Sequence, residues 1–405
     1  MKERRSFIRR LFEKIIEGTL TISSAVTSLT VLLIIIFLFK EGISLFSDQP
    51  IEKDFVLAVN KNNPLGKIKP EEIKNIFDKK ITNWKQVGSF NKDIKTFTIN
   101  SISDYFTDEE IGSNFKYLPK KINELITKDS AIIAYIPIKY LTSDFTGKRI
   151  KIGNVSVGSF VTGEQWFPTT EPVAQLGILP LIVGTLWVCL GAIILALPLG
   201  LSIAIYMSEV TNHKIRNILK PVIELLAGIP SVVYGFFGLV IIVPLVQQTF
   251  NLPVGETALS GSIILAIMVL PTIITISEDA LRTTPSAMRE ASLALGATKL
   301  QTIFRVVVPH SILGITAAVI LGVGRVFGET MAVLMVTGNA AVMPHSFLQP
   351  IRTITATIAA ELGEAPQGGL HYKALFALGC ILFIITLITN LLVEWVSSKQ
   401  KYSYR

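Results

Sequence analysis

Residues 258–277 read Ala258-Leu259-Ser260-Gly261-Ser262-Ile263-Ile264-Leu265-Ala266-Ile267-Met268-Val269-Leu270-Pro271-Thr272-Ile273-Ile274-Thr275-Ile276-Ser277, without one formal charge. As a helix, about 20 such residues cross a hydrocarbon core of roughly 30 Å. Working outward, five more apolar blocks flank this one: Thr19–Phe39, Leu176–Ser208, Val222–Val246, Ser311–Thr337 and Ala374–Val393. The only charges inside them are Glu224 in one block and Arg325 and Glu329 in another. Buried helices of a soluble domain would rarely repeat this pattern six times. The sequence predicts an all-α integral membrane bundle of six transmembrane helices. The first block is too long for the core of a signal peptide, and no small-x-small site follows it, so it is expected to remain as an anchor.

Short loops give the orientation, because Lys and Arg are retained on the cytoplasmic side. The N-terminal stretch carries Lys2, Arg4, Arg5, Arg9, Arg10 and Lys14, the 209–221 loop Lys214, Arg216 and Lys220, and the 278–310 loop Arg282, Arg289, Lys299 and Arg305. The 247–257 loop has neither residue type. All four fit six spans in a bacterial plasma membrane, multi-pass, with both termini cytoplasmic. Residues 1–46 then form the first span, preceded at 6–16 by an amphipathic helix suited to the membrane interface or to docking on other spans. Residues 47–165 form an extracytoplasmic insert between spans one and two, and 166–405 the rest of the bundle.

The insert is a different material, polar and Lys-rich. Phe55–Val59 and Ala131–Ile136 read as buried strands, and Lys69–Phe77 as a helix with Pro70 in its first turn. A small α/β domain is expected. Residues 47–175 hold 18 Lys and Arg against 16 Asp and Glu, leaving 20 against 14 elsewhere, so most of the net charge of +8 follows the membrane topology. It is no nucleic-acid footprint. Cys189 and Cys380 both lie in spans and offer no disulfide framework to the insert. His213, His310, His345 and His371 show no metal spacing, no nucleophile–base set stands out, and Gly147-Lys148-Arg149 lacks the rest of a phosphate loop. No catalytic, cofactor or metal site is expected. Any ATP hydrolysis would belong to another subunit.

After the fourth block the chain reads Thr284-Pro285-Ser286-Ala287-Met288-Arg289-Glu290-Ala291-Ser292-Leu293-Ala294-Leu295-Gly296. Thr284 can cap a helix, Pro285 is pre-set for its first turn, and Gly296 can supply the left-handed residue that ends it. A second helical stretch, Lys299–Val308, stops at Pro309. A short helix, a sharp turn and a helix returning to the membrane can protrude and dock on a cytoplasmic partner. Glu290-Ala291-Ser292, Gly296 and Val306-Val307-Val308-Pro309 at this spacing resemble the Glu-Ala-Ala coupling loop of ABC importer permeases, with Ser and Val as mild departures. The resemblance implies the type I ABC importer permease fold, with Glu290, Ala291, Gly296 and Pro309 of the 284–309 loop serving ATPase coupling.

Three further stretches resemble the phosphate-specific Pst permeases of the PstC type: Trp166-Phe167-Pro168 with Gly177–Thr185, Glu224–Gly235, and Gly324-Arg325-Val326-Phe327-Gly328-Glu329-Thr330-Met331-Ala332. Arg325 and Glu329 stand four apart, so in one helix they share a face and can pair. Gly324 and Gly328 would let another helix approach closely. The pair either fixes helix packing or, as the resemblance implies, lends positive potential to a substrate pathway for an anion. Mid-span prolines (Pro198, Pro230, Pro244, Pro271) are expected to kink or interrupt their helices, as packing features or as gates. The insert's Val59–Pro64, Ile76–Gly88 and Ala131–Tyr135 resemble the second lobe of phosphate-binding proteins, but Asn100–Phe106 holds Asp104 and no glycine where that family's Ser-Gly-Thr turn would stand.

The resemblance implies a permease subunit of an ATP-driven importer of inorganic phosphate. Its expected partners are a homologous PstA-like permease, two ATP-binding subunits, a soluble or lipid-anchored phosphate-binding protein and membrane lipid. A permease for molybdate or sulfate, or a non-transporting membrane sensor of a loaded binding protein, would share parts of this pattern.

Overall fold

A computed structural model describes residues 2–142 and 144–402, and the side chains of all these except 2–11, 113, 393 and 396–402. Among the described residues, five helices are long and apolar enough to cross a membrane: Phe12–Ser47, Leu179–Val210, Ser231–Phe250, Ala258–Arg282 and Leu370–Leu392. A sixth crossing is a bent pair, Lys299–His310 and Ile312–Gly328, meeting at 68°. In chain order these are spans one to six, the bent pair being the fifth. Helices suit lipid because each backbone donor is satisfied inside its own segment. Hydroxyls in the first span follow the same rule, with Thr19, Thr21, Thr27 and Thr30 each donating to the carbonyl four residues back.

Span four is the centre of the bundle. Ile264, Leu265, Val269 and Ile273 pack with Val188, Ala192 and Ala196 of span two and Val326 and Phe327 of span five. A side chain at Gly200 would collide with Ile273, and one at Gly314 with Ala280, so glycine sets how closely spans two and five approach it. Span one is peripheral and rests on span six through edge-to-face Phe37–Phe376 and Phe39–Phe383 contacts. Its helix is continuous from Lys2 to Ser44, so the expected interfacial segment and the first span share one axis. The side chains of most of that segment lie outside the described residues.

Two apolar blocks differ from expectation. The third is divided: a separate helix, His213–Ala227, ends at Gly228, and span three starts at Ser231. Pro230 disfavours helical backbone at the residue before it, and the chain turns there. Glu224 is therefore exposed and outside any span. The fifth block is also interrupted. Ile312–Gly328 ends, Glu329 turns to extended backbone (φ −70°, ψ 134°), and Met331–Val336 begins anew. Pro198 and Pro271, expected to kink their helices, lie inside unbroken ones. Pro244 and Pro309 each follow a wide π-type turn, Gly238–Ile242 and Ile303–Val307. Such a turn accommodates the carbonyl that the proline ring would otherwise strike.

The insert contains a four-stranded sheet in the order Lys95–Thr98, Ile132–Pro137, Phe55–Val59, Lys148–Arg149. Ile132–Pro137 runs parallel to Lys95–Thr98 and antiparallel to Phe55–Val59, with Val59 opposite Ile133. Leu57, Val59, Ile133 and Tyr135 face Ile73, Ile76 and Trp84. Ala58, Ile132, Ala134 and Ile136 face Leu118, Ile122 and Ile126. A sheet covered on both sides explains why these strands read as continuous apolar runs. The insert is tied to the rest of the chain by Lys74, whose Nζ donates to Gln175 as well as to Gln165 at the insert's end, and by the Lys373–Asp48 ion pair at 2.6 Å.

Candidate functional site

Arg325 lies in the last turn of the Ile312–Gly328 helix, where carbonyl dipoles favour a cation. The expected partnership with Glu329 is not made, because the helix ends between them and the i,i+4 relation is lost. Glu329 instead accepts the Ala332 N–H at 3.2 Å and so caps the next short helix, while its own carbonyl accepts from the Thr355 hydroxyl at 2.8 Å. Arg325 is half-buried and forms no ion pair among the described residues. The close approach expected at Gly324 and Gly328 is absent too, since a side chain at either would meet open space. Leu321 and Met331, and Val233, Phe236 and Val240 of span three, are exposed as well.

The loop after span four follows its expected shape closely. Its helix is Ser286–Ala294, and Gly296 takes φ +83°. The Gly296 N–H bonds Leu293 and the Ala297 N–H bonds Ser292, closing the last turn. Gly296 has open space around it, so it is needed for backbone conformation and not for room. Thr284 does not cap; it is buried and shares a hydroxyl bond with Ser311 at 3.0 Å, which leaves Pro285 as the residue before the helix. The next helix starts from a reciprocal cap between Thr298 and Gln301, a signal the sequence carried that its reading passed over. It runs one residue past Pro309, to His310. Glu290, Ala291 and Gly296 are exposed and Pro309 is half-buried in the bend. Met288, Leu293 and Leu295 add exposed apolar surface.

Three charge clusters join segments distant in sequence, which is why local patterns could not reveal them. Glu278, fully buried, accepts from Arg216 at 2.7 Å and Lys220 at 2.9 Å, with Arg282 at 3.6 Å. Lys220 also meets Asp279 at 2.7 Å. Burial works to lower the Lys220 ammonium, but hydrogen bonds to Asp279 and Glu278 lift it above its ordinary value. Glu209 binds Arg289 at 2.8 Å. Glu361 accepts from Arg352 at 2.7 Å, His371 at 2.8 Å and the Trp166 indole at 3.0 Å. Burial pushes the Glu361 carboxyl up, yet bonds from His371 and Trp166 and the Arg352 charge hold it below the usual range.

In the insert, the turn after Thr98 spends its polar groups on itself. The Ser101 hydroxyl accepts from the Thr98 N–H and donates to the Thr98 carbonyl, each at 3.0 Å, and Tyr105 donates to Thr96. Asp104 is exposed beside it. An anion cradle needs backbone donors converging on one concavity, and glycine allows that approach.

A family model described as binding-protein-dependent transport system inner membrane component matches residues 196–402, and a PBP superfamily domain model matches 51–179. The chain is 39% identical to the probable ABC transporter permease protein YqgH of Bacillus subtilis, over 68% of this chain and 87% of that protein. It is 40% identical to the phosphate transport system permease protein PstC of Mesorhizobium japonicum, over 57% and 75% respectively. Inward-facing MetNI methionine ABC transporter is similar at 16% identity and TM-score 0.43, over 55% of this chain and 96% of that one.

Proposed function

The chain belongs to the inner membrane components of binding-protein-dependent transport systems, and we propose that it lines part of the path of an ATP-driven importer of inorganic phosphate. The observation that carries this reading is Arg325, a cation within the bundle with no carboxylate on it among the described residues. Placing an Arg near mid-membrane costs about 2.5–3.5 kcal/mol even on lenient scales, so the side chain normally faces protein or water. An uncompensated guanidinium supplies what a passing phosphate needs, a planar fork of donors and positive potential. Glu329, by capping the Met331–Val336 helix, shapes the break beside it without cancelling its charge. The likeness to PstC proteins supports phosphate over sulfate or molybdate.

A homologous second permease would cover the open face at Gly324 and Gly328 and the bare apolar side of span three. Two ATP-hydrolysing subunits would receive the exposed Ser286–Ala294 helix on the cytoplasmic side, where both termini also lie. The insert, with its turn closed on itself, would meet the phosphate-binding protein outside the membrane and not phosphate.

Vesicles reconstituted with the candidate partners test this reading through ATP-dependent uptake of labelled phosphate. Excess sulfate and molybdate should not compete. In Arg325→Gln, uptake should fall by about two orders of magnitude while complex assembly and ATP hydrolysis persist. Unimpaired uptake in that variant would remove Arg325 from the path, and competition by molybdate would reassign the substrate.

A further inference from the structure

The Ser286–Ala294 helix buries no side chain, so apolar packing does not set its position. Ser292 and Thr302 share a hydroxyl bond at 2.9 Å, but this ties the loop only to its own continuation. Arg289 reaches further. Its Nη2 donates to Glu209 Oε1 at 2.8 Å and to the Leu281 carbonyl at 3.1 Å, and its Nη1 donates to the Thr284 carbonyl at 2.9 Å. Glu209 stands in the wide turn Tyr206–Val210 that ends span two; its side chain is 9% exposed and also accepts from Ser208 at 3.0 Å. Leu281 lies in the last turn of span four. One guanidinium thus joins the ends of two spans to a helix that makes no other charged attachment among the described residues.

We infer that Arg289 is a positioning residue for transport, acting through Glu209. It makes the Ser286–Ala294 helix and the ends of spans two and four move as one body, so displacement of the helix by an ATPase subunit becomes displacement of the spans. Charge-assisted hydrogen bonds are shorter and roughly twice as strong as neutral ones, which suits a joint under load. The fork of a guanidinium can hold three acceptors set apart in space, whereas an ammonium is a single point. Arg289 is half-buried and directed at the membrane helices, leaving Glu290, Ala291 and Leu293 exposed for the partner. The inference rests on the coupling role proposed above for this loop.

The test uses the reconstituted complex and the purified chain. Arg289→Gln should still co-purify with the ATPase subunits and hydrolyse ATP within about twofold of wild type, while phosphate moved per ATP falls at least tenfold. Glu209→Gln should act in the same direction, and the double variant should be no worse than Arg289→Gln, because both changes open one joint. Arg289→Lys should fall between. Spin labels at Ala294→Cys and Thr211→Cys give a readout that needs no transport: their distance distribution should broaden in Arg289→Gln. Unchanged transport per ATP in both single variants, or an unchanged distribution, would overturn the joint, as would loss of the ATPase from Arg289→Gln, which would make Arg289 part of the dock. A wild-type complex that binds and hydrolyses ATP without phosphate uptake would count against the substrate instead, and the labels would still judge the joint.

Discussion

Glu278 and Arg325 both lie in helices that cross the membrane, and their surroundings are opposite. Glu278 is fully buried and met by Arg216, Lys220 and Arg282. Arg325 is half-buried with no carboxylate on it among the described residues, although Glu329 stands only four residues away. A buried charge is tolerated when its partners offset desolvation, and such a charge is then part of the scaffold. A charge left uncompensated costs stability and is available to something outside the chain. The contrast separates scaffold from site better than depth in the membrane does.

The largest effect should come from the compensated member. Glu278→Leu takes the buried carboxylate from Arg216, Lys220 and Arg282, leaving only Lys220 a second partner in Asp279, and breaking a buried pair from one side costs roughly 3–5 kcal/mol. We expect a clear fall in the thermal midpoint of the purified chain and loss of the His213–Ala227 helix from its seat on span four. Arg325→Gln should leave that midpoint nearly unchanged while abolishing uptake. If Arg325→Gln destabilises as much as Glu278→Leu, the distinction collapses and Arg325 becomes scaffold as well.

Spans were legible because twenty apolar residues leave few alternatives, and the loop after span four was legible because Pro285, Gly296 and their spacing all act locally. Glu278 lay just beyond the apolar block, and Arg216 and Lys220 stand about sixty residues away in what read as the 209–221 loop, on a helix whose second half read as the start of span three. Pro230 carried the signal for that division, but the apolar run around it masked the break. At Glu329 no proline marked the interruption, so an unbroken helix and an Arg325–Glu329 pair were the natural expectation. Only the capped Ala332 N–H explains why the helix restarts there.

A smaller effect is expected at Gly296, where neither charge nor burial is at issue. Its φ of +83° costs a side chain-bearing residue roughly 1–2 kcal/mol. Gly296→Val should leave the spans intact and reduce ATPase retention on co-purification. Full retention and uptake would break the assignment of this loop as the dock.

Glu361 belongs with Glu278 as a compensated carboxylate, now outside the spans, and pH tests it. Its folded value lies below the ordinary 4.5, so its contribution is fully present above that pH and is lost as pH falls through the depressed value. Glu361→Gln should cost about 1–3 kcal/mol at pH 7, the scale of a buried hydrogen bond to a charge. The gap between the two thermal midpoints should close as the pH falls below 4.5 and through the depressed value. A gap independent of pH would mean that shape, not charge, holds Arg352, His371 and Trp166 together.

The smallest effect should be at Glu329, and it sharpens the contrast most. If Glu329 neutralised Arg325, removing its charge would leave the guanidinium stranded, and Glu329→Gln would impair the protein about as severely as Arg325→Gln. With the helix broken between them, the work of Glu329 is to accept the Ala332 N–H at 3.2 Å, and a glutamine oxygen can do the same. Its carbonyl bond from Thr355 belongs to the backbone and survives the change. Uptake in Glu329→Gln should therefore stay within about threefold of wild type, since the loss is limited to one charge-assisted bond becoming neutral. Glu329→Ala, which removes the acceptor, should cost more by loosening the Met331–Val336 helix. Equal and severe losses in Arg325→Gln and Glu329→Gln would show that the two charges do meet during transport, and Arg325 would no longer count as the uncompensated member of the comparison.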